Sequence, residues 1–486
     1  TEEKIIGDLF IKRFLGLPVD FFGFDHSTIG LDRSRMGTAM FQACHLYILA
    51  QMYSLGLWGD REERWIIDSF PTHVGVIERG SYRLIQKAAI RLVNHLKRSH
   101  SGLYHHADQT LNFSSLTNRL SSSSEANERL LAFSKLVAFG HALLHFFETE
   151  QAIAALQVEV SKAARLRSLQ LQQTLSRILQ ENSRPTPPND DPTDPPSSNT
   201  GTADKDAEEA ASTTELIEFE KIPRKERLVD RLLSATHTDV RIGRKNVSTS
   251  IKGFKTQNLS TEHGVILNTK VVPAYEHDRD AMFHMVRDIQ NFFKITPHAL
   301  LGDTAYGHGK QRLLLNRLNV RVVAPVVITK NPTTLYDISR FSFNEENNTF
   351  SCPNGQNTYR KSHSKGLEGT QYFFQKKHCA SCPFQAECTT NEKGRTVFRS
   401  DYAEIYKEAN RYNESPAGQK AMSKRYVVER KNQEMKNNCG IGAPRASSKE
   451  TVSMKATLAA IAVNLKLVVR ILIRPKPGFL RRAQVA

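Results

Sequence analysis

Three carboxylates stand where their surroundings could give them chemical work. Asp68 closes a short apolar run, Arg64-Trp65-Ile66-Ile67-Asp68, that reads as a strand. Asp303 ends a second apolar strand over 298–302. Glu429 lies in a basic helical segment, Lys424-Arg425-Tyr426-Val427-Val428-Glu429-Arg430-Lys431. Such acids are hard oxygen donors for Mg²⁺, which takes one or two protein carboxylates and fills its shell with water and phosphate. Two ions about 4 Å apart clamp the attacking and leaving oxygens of an in-line displacement at phosphorus. An aspartate at a strand end is more often a turn former or a helix cap, so residue type alone does not select these three from the fifty acids. Helical spacing adds to the case. Arg425, Glu429 and Lys436 sit at i, i+4 and i+11, which at about 100° per residue share one face. Cations on that face would meet the phosphates around a scissile bond.

The cysteines carry a second pattern. Cys352, Cys379, Cys382 and Cys388 follow C-x26-C-x2-C-x5-C, and each lies in a polar stretch near Pro or Gly. Four thiolates with one C-x2-C pair suit a closed tetrahedral Zn²⁺ site. The alternative is a set of partly buried free thiols. A metal staple suits a segment with few apolar residues of its own. Cys44 reads as a core residue and Cys439 as an ordinary thiol.

The elements that must position these groups divide the chain. Residues 1–60 read as a helical N-terminal region for DNA binding or dimerisation, with helical periodicity over 36–57. The first core strand falls in 61–74, and 75–180 form a helical insertion. Residues 181–212 hold eight acids, two bases and almost no large apolar groups, so they read as a disordered acidic linker. Core elements resume over 213–329: a hairpin about Glu262-His263-Gly264, a helix over 278–293, the 298–302 strand, a helix over 310–318 and a β-branched strand over 320–328. A zinc-bearing insertion follows over 330–415. The catalytic helix (417–437) and a basic helix (449–474) lie within 416–486. The fold class is α/β, a mixed sheet with two insertions.

Charge restricts the partners. Lys plus Arg is 67 against 50 acids, a net +17. Such an excess points to a polyanion, nucleic acid or an anionic membrane, and away from small cationic substrates. Residues 416–486 carry fifteen bases and three acids, and 223–255 carry nine and three. Arg241, Arg244, Lys245, Lys252 and Lys255 are the expected phosphate contacts of the second stretch. No run of about 18 apolar residues is seen, so no membrane span is expected. Nor does the opening TEEKIIGDLF carry a basic-then-apolar leader.

Four stretches together resemble bacterial insertion-sequence transposases of the DDE class. They are Asp25-His26-Ser27-Thr28, Ile66-Ile67-Asp68-Ser69, Gly302-Asp303-Thr304-Ala305-Tyr306-Gly307, and Arg425-x3-Glu429-x6-Lys436, which is similar to the R-E-K part of a Y-R-E-K signature. The signature's Tyr position holds Met422, with Tyr426 nearby. The resemblance implies a ribonuclease-H-like catalytic core in which Asp68, Asp303 and Glu429 hold Mg²⁺ or Mn²⁺. Asp239 is the rival first acid. Arg425 and Lys436 would contact DNA. It implies cleavage at transposon ends and transfer of the freed 3′-hydroxyl into target DNA, by a homodimer acting on double-stranded DNA in the cytoplasm at the bacterial nucleoid. Two alternatives stay open: a transposase-derived DNA-binding protein that no longer cuts, and a metal-dependent nuclease without strand transfer.

Overall fold

The structure, a computed structural model, describes residues 2–23, 25, 27–117, 125–158, 160–186, 217–246, 248–326 and 334–473. At the centre is a six-stranded mixed sheet. It comprises β1 (Arg64–His73), β2 (Arg241–Arg244), β3 (Ser250–Thr261), β4 (Ile266–Pro273), β5 (Ala299–Leu301) and β6 (Arg321–Val323). β3 runs antiparallel to β1 on one side, and β5 then β6 run parallel on the other. β2 and β4 lie end to end along the outer edge of β3, meeting at Gly253–Phe254. This mixed α/β arrangement fits a ribonuclease-H-like core.

β1 is longer than its apolar run suggested. It continues through Asp68 and Pro71 to His73, because the long β3 pairs with it from Trp65 to His73, whereas β5 stops opposite Ile66. The nitrogen of His73 donates to Gly442 O and that of Val74 to Lys252 O. By alternation Pro71 presents its missing donor to the side that β5 has left, where no ladder bond is lost.

Side chains alternate across the sheet. Trp65, Ile67, Leu300 and Val322 face one side, packed on Met282, Val286 and Ile289 of α2 (Asp278–Phe293) and on Leu49 and Met52 of α1 (Thr28–Ser54). Ile66, Ala299, Leu301 and Val323 face the other, under Val428 of α4 (Tyr426–Gln433). α3 (Gly309–Asn316) links β5 to β6. α5 (Lys449–Ile473) lies across β4 and α1. By length and composition α5 could cross a membrane, contrary to the sequence expectation, since from Ala456 to Ile473 its apolar residues are broken only by Thr457, Asn464, Lys466 and Arg470. Here it is a packed helix with Val452, Ala456, Val463 and Asn464 buried.

Five helices, Ser81–Ser99, Ser101–Leu111, Ala126–Phe146, Glu150–Val158 and Lys162–Asn182, separate β1 from β2. They close over a core of their own, including Leu92, Val137, Leu143, Leu175 and Ile178. The start of the expected linker is ordered: Ser183–Pro185 pairs with Phe219–Lys221, and Arg184 bridges Glu220 and Glu226. The rest of it, 187–212, lies outside the described residues. β6 is three residues long where a strand to 328 was expected, and 327–328 also lie outside them. The helix expected over 417–437 is in three pieces: Pro416–Met422, α4, and a π-helical turn at Glu434–Asn438.

Candidate active site

The register places two of the acids side by side. Ile66 of β1 pairs with Leu301 of β5 in the parallel ladder, and Asp68 and Asp303 each lie two residues beyond that pair. In-register residues of adjacent parallel strands share a face and stand roughly 5 Å apart at the backbone. That face is the one α4 covers, since Asp68 follows Ile66 and Asp303 follows Leu301 at period two. Asp303 caps a short 3₁₀ turn, accepting from Ala305 N at 2.9 Å. The turn is pinned by Tyr306, which is wholly buried in the core. It is also held by Arg312 of α3, whose guanidinium donates to Gly307 O, Val322 O and Ala324 O.

Glu429 completes the group from α4. Its carboxylate takes a 2.6 Å ion pair from Arg425, one turn earlier. The electrostatics of Asp68 report the convergence. Burial pushes its carboxyl up to about 6; the Ser69 backbone donor pulls it back, Asp303 raises it, Arg425 lowers it and Glu429 raises it. Two further acids near enough to disfavour the charge of Asp68 mark a place where a cation would be stabilised. Among the described residues, however, no three His, Cys, Asp or Glu side chains stand close enough to close around one ion. The donor set has the oxygen chemistry of Mg²⁺, in an open arrangement.

A polar chain unforeseen from sequence reaches the same carboxylate. Asn432 Nδ2 donates to Asp68 Oδ2 at 2.9 Å. Asn258, cross-strand partner of Asp68, donates to Asn432 Oδ1 at 2.7 Å and accepts from the Thr269 hydroxyl. Both asparagines are buried. Asn432 lies three residues after Glu429, so helical spacing was the available signal. Asn258 becomes visible only through strand register.

The other expected residues scatter. Asp239 accepts from Lys449 N at 2.9 Å and so caps α5 instead of joining the acids. Lys436 sits in the π turn, its side chain over Gly442, which in turn holds His73 at the end of β1. The extra residue of the π turn moves Lys436 off the simple helical register. Tyr426 lines a groove that includes neither Arg425 nor Glu429, and Met422 packs beside the Val428 cluster. The five expected phosphate contacts do not make one track. Lys255 pairs with Asp278, Lys252 with Glu78, and Arg241 donates to Thr238 O and Val240 O, while Arg244 and Lys245 stay exposed. In the stretch DHST, Asp25 accepts from Ser27 N, and His26 lies outside the described residues.

The four cysteines line one small cavity of about 30 Å³. Cys379 Sγ accepts from Arg395 N, and burial pushes the Cys388 thiol up, with Arg395 lowering it and the other three cysteines raising it. Short strands and a five-residue core, Phe341, Phe350, Tyr372, Phe374 and Val397, surround the cavity.

A mixed sheet with one acid within its central strand, one just beyond the end of the neighbouring strand and a third on the covering helix fits a nuclease or transposase. Residues 351–469 match a family model described as transposase DDE domain, which supports a DDE-class transposase. The match takes in the cysteines and Glu429, and Asp68 and Asp303 precede it. No curated protein and no solved structure matches the chain.

Proposed function

We propose that the chain is a DNA transposase whose reacting phosphate is held between Asp68, Asp303 and Glu429. The observation that carries this is the equal offset of Asp68 and Asp303 beyond one parallel pair, on the face where Glu429 sits. These three carboxylates would hold Mg²⁺ or Mn²⁺. Bound there, the ions supply charge stabilisation to the attacking and leaving oxygens. Arg425 fixes the Glu429 carboxylate and presents a cation beside the phosphate, while Asn432 orients Asp68. Water attacks phosphorus at the transposon end, the bond to the 3′ oxygen breaks, and a 3′-hydroxyl is freed. That hydroxyl then attacks a phosphorus of the target duplex and displaces another 3′ oxygen. The first step hydrolyses one phosphodiester, leaving a 5′-phosphate, and the second exchanges one phosphodiester for another, so no nucleoside triphosphate is consumed.

Cys352, Cys379, Cys382 and Cys388 would hold a structural Zn²⁺, a reading that rests on their spacing and their shared cavity. The active form is a homodimer on paired ends, working in the cytoplasm at the nucleoid.

The test is incubation with DNA carrying the element's own ends and Mg²⁺, comparing wild type with Asp303→Ala. Cleavage and joining should fall by roughly 10³-fold or more in the variant, with binding retained. Cut ends without joined products would reduce the chain to a nuclease. Salt-sensitive binding with no cutting by either protein would leave a DNA-binding relative that has lost catalysis.

A further inference from the structure

A groove of about 730 Å³ runs along the side of α4 turned away from the acids. One wall is α4 and its π turn, another the end of α5, and the β3–β4 turn Glu262-His263-Gly264 closes it. Arg430 and Lys431 line it, about 100° and 160° round the helix from Glu429. The β3–β4 turn adjoins Trp65, three residues before Asp68 on β1, or roughly 10 Å along the strand. The groove is therefore separate from the carboxylate cluster.

Its charge is uncompensated. Of its two acids, Glu262 is taken by Arg64 at 3.3 Å, and Glu434 is shared by Lys431 and Lys466 at 3.5 and 3.9 Å. Among the described residues Lys424, Arg430 and Arg470 have no acid within ion-pair distance. The two arginines also stand near Lys431, whose ammonium is pushed down by burial and by both of them. Cations in excess over the groove's two acids, which are already paired, make an anion site. The floor is aliphatic, from Val427, Leu467 and Ile471, and Tyr426 stands half-exposed at the edge. A free phosphate would leave most of this volume empty. A sugar-phosphate backbone meets the cations with its phosphates and the floor with its deoxyriboses.

We propose that this groove is a second DNA track, seating the backbone of a duplex away from the bond being cut. The inference rests on the DNA reading above and extends it to a surface outside the reacting centre. It is tested by fluorescence anisotropy with a labelled duplex of arbitrary sequence, measured across a salt series. Arg430→Gln with Arg470→Gln should weaken binding roughly tenfold and flatten the log–log salt slope by about 2, near 0.9 for each phosphate no longer neutralised. Arg430→Lys with Arg470→Lys should keep most of that slope. Lys162→Gln with Arg165→Gln, on the helical insertion, removes equal charge and should leave the slope unchanged. Circular dichroism melts check folding, and Lys424→Gln alone gives a second readout, a slope change of about 1. Glutamine variants that match the Lys162/Arg165 control would overturn the track and leave the transposase reading standing. A wild type with no salt-dependent DNA binding would overturn both.

Discussion

Asp68 lies at the end of a buried chain of hydrogen bonds. Asn432 orients one oxygen, Asn258 fixes Asn432, and Thr269 fixes Asn258, so the chain crosses from β4 through β3 and α4 to β1. A buried polar chain of this kind is rigid only while each member is satisfied. Loss of the Asn432 amide frees the Asp68 carboxylate to turn. Asn432→Ala is expected to slow single-turnover cleavage by roughly 10–100-fold, the range seen when a ligand loses its supporting hydrogen bond. Duplex affinity in the same variant should be unchanged by anisotropy. Wild-type cleavage rates would show the amide to be idle. Asp68 and Asp303 were legible in the sequence because each follows an apolar run. Asn258 was not, because a central strand shows no sign of which residue will face an acid on its neighbour.

At the scale of elements, one clamp joins α1, β4 and α5. Asn464 is wholly buried; its Oδ1 accepts from Ile266 N at 2.8 Å, and its Nδ2 donates to Ile266 O at 2.9 Å. His45 of α1 adds Nε2 at 3.0 Å from the same carbonyl, a contact that needs the Nε2–H form. The clamp holds β4 close to where its register with β3 shifts at Leu259/Ser260. Burial pushes the His45 imidazole down to about 4, the Ile266 carbonyl opposing. The folded protein thus resists a proton that the unfolded chain takes up below about pH 6.5. Stability from this residue is full above that pH and is lost as pH falls toward 4, a loss on the order of 3 kcal/mol. Urea unfolding at pH 7 and pH 4.5 should show that loss in wild type and a smaller one in His45→Gln. Equal losses would place the acid sensitivity elsewhere.

Over the whole molecule, apolar residues gather into separate cores: the insertion helices have one, the sheet has cores on both faces, and the cysteine block has a small aromatic one. A core of five residues is marginal by itself. If Zn²⁺ bridges the four cysteines, removing it should loosen this block first. A strong chelator, or Cys382→Ser, is expected to add an early step to the thermal melt and leave the main transition of the sheet in place. Proteolysis under the same conditions should begin within 336–400. An unchanged melt after verified metal removal would show that the aromatic core suffices. The charge excess is likewise divided: part of the 223–255 stretch is taken up in internal ion pairs, whereas the groove beside α4 keeps Lys424, Arg430 and Arg470 open.

The sequence by itself marked Asp68 and Asp303 as acids following apolar runs, most of the helices around them and a strong positive charge, because apolar period, charge and residue type are local properties of the chain. It also pointed to the DDE-class transposases, through short motifs about Asp303 and Glu429, and the family match over 351–469 takes in the second of these. Register, however, is set by partners far apart in the chain. Only the tertiary structure put Asp68 level with Asp303, sent Asp239 to the end of α5, and linked Asn258 to Asn432. It also turned Arg430 and Arg470, forty residues apart, into one surface, since the packing of α5 against the sheet decides which cations of two helices meet.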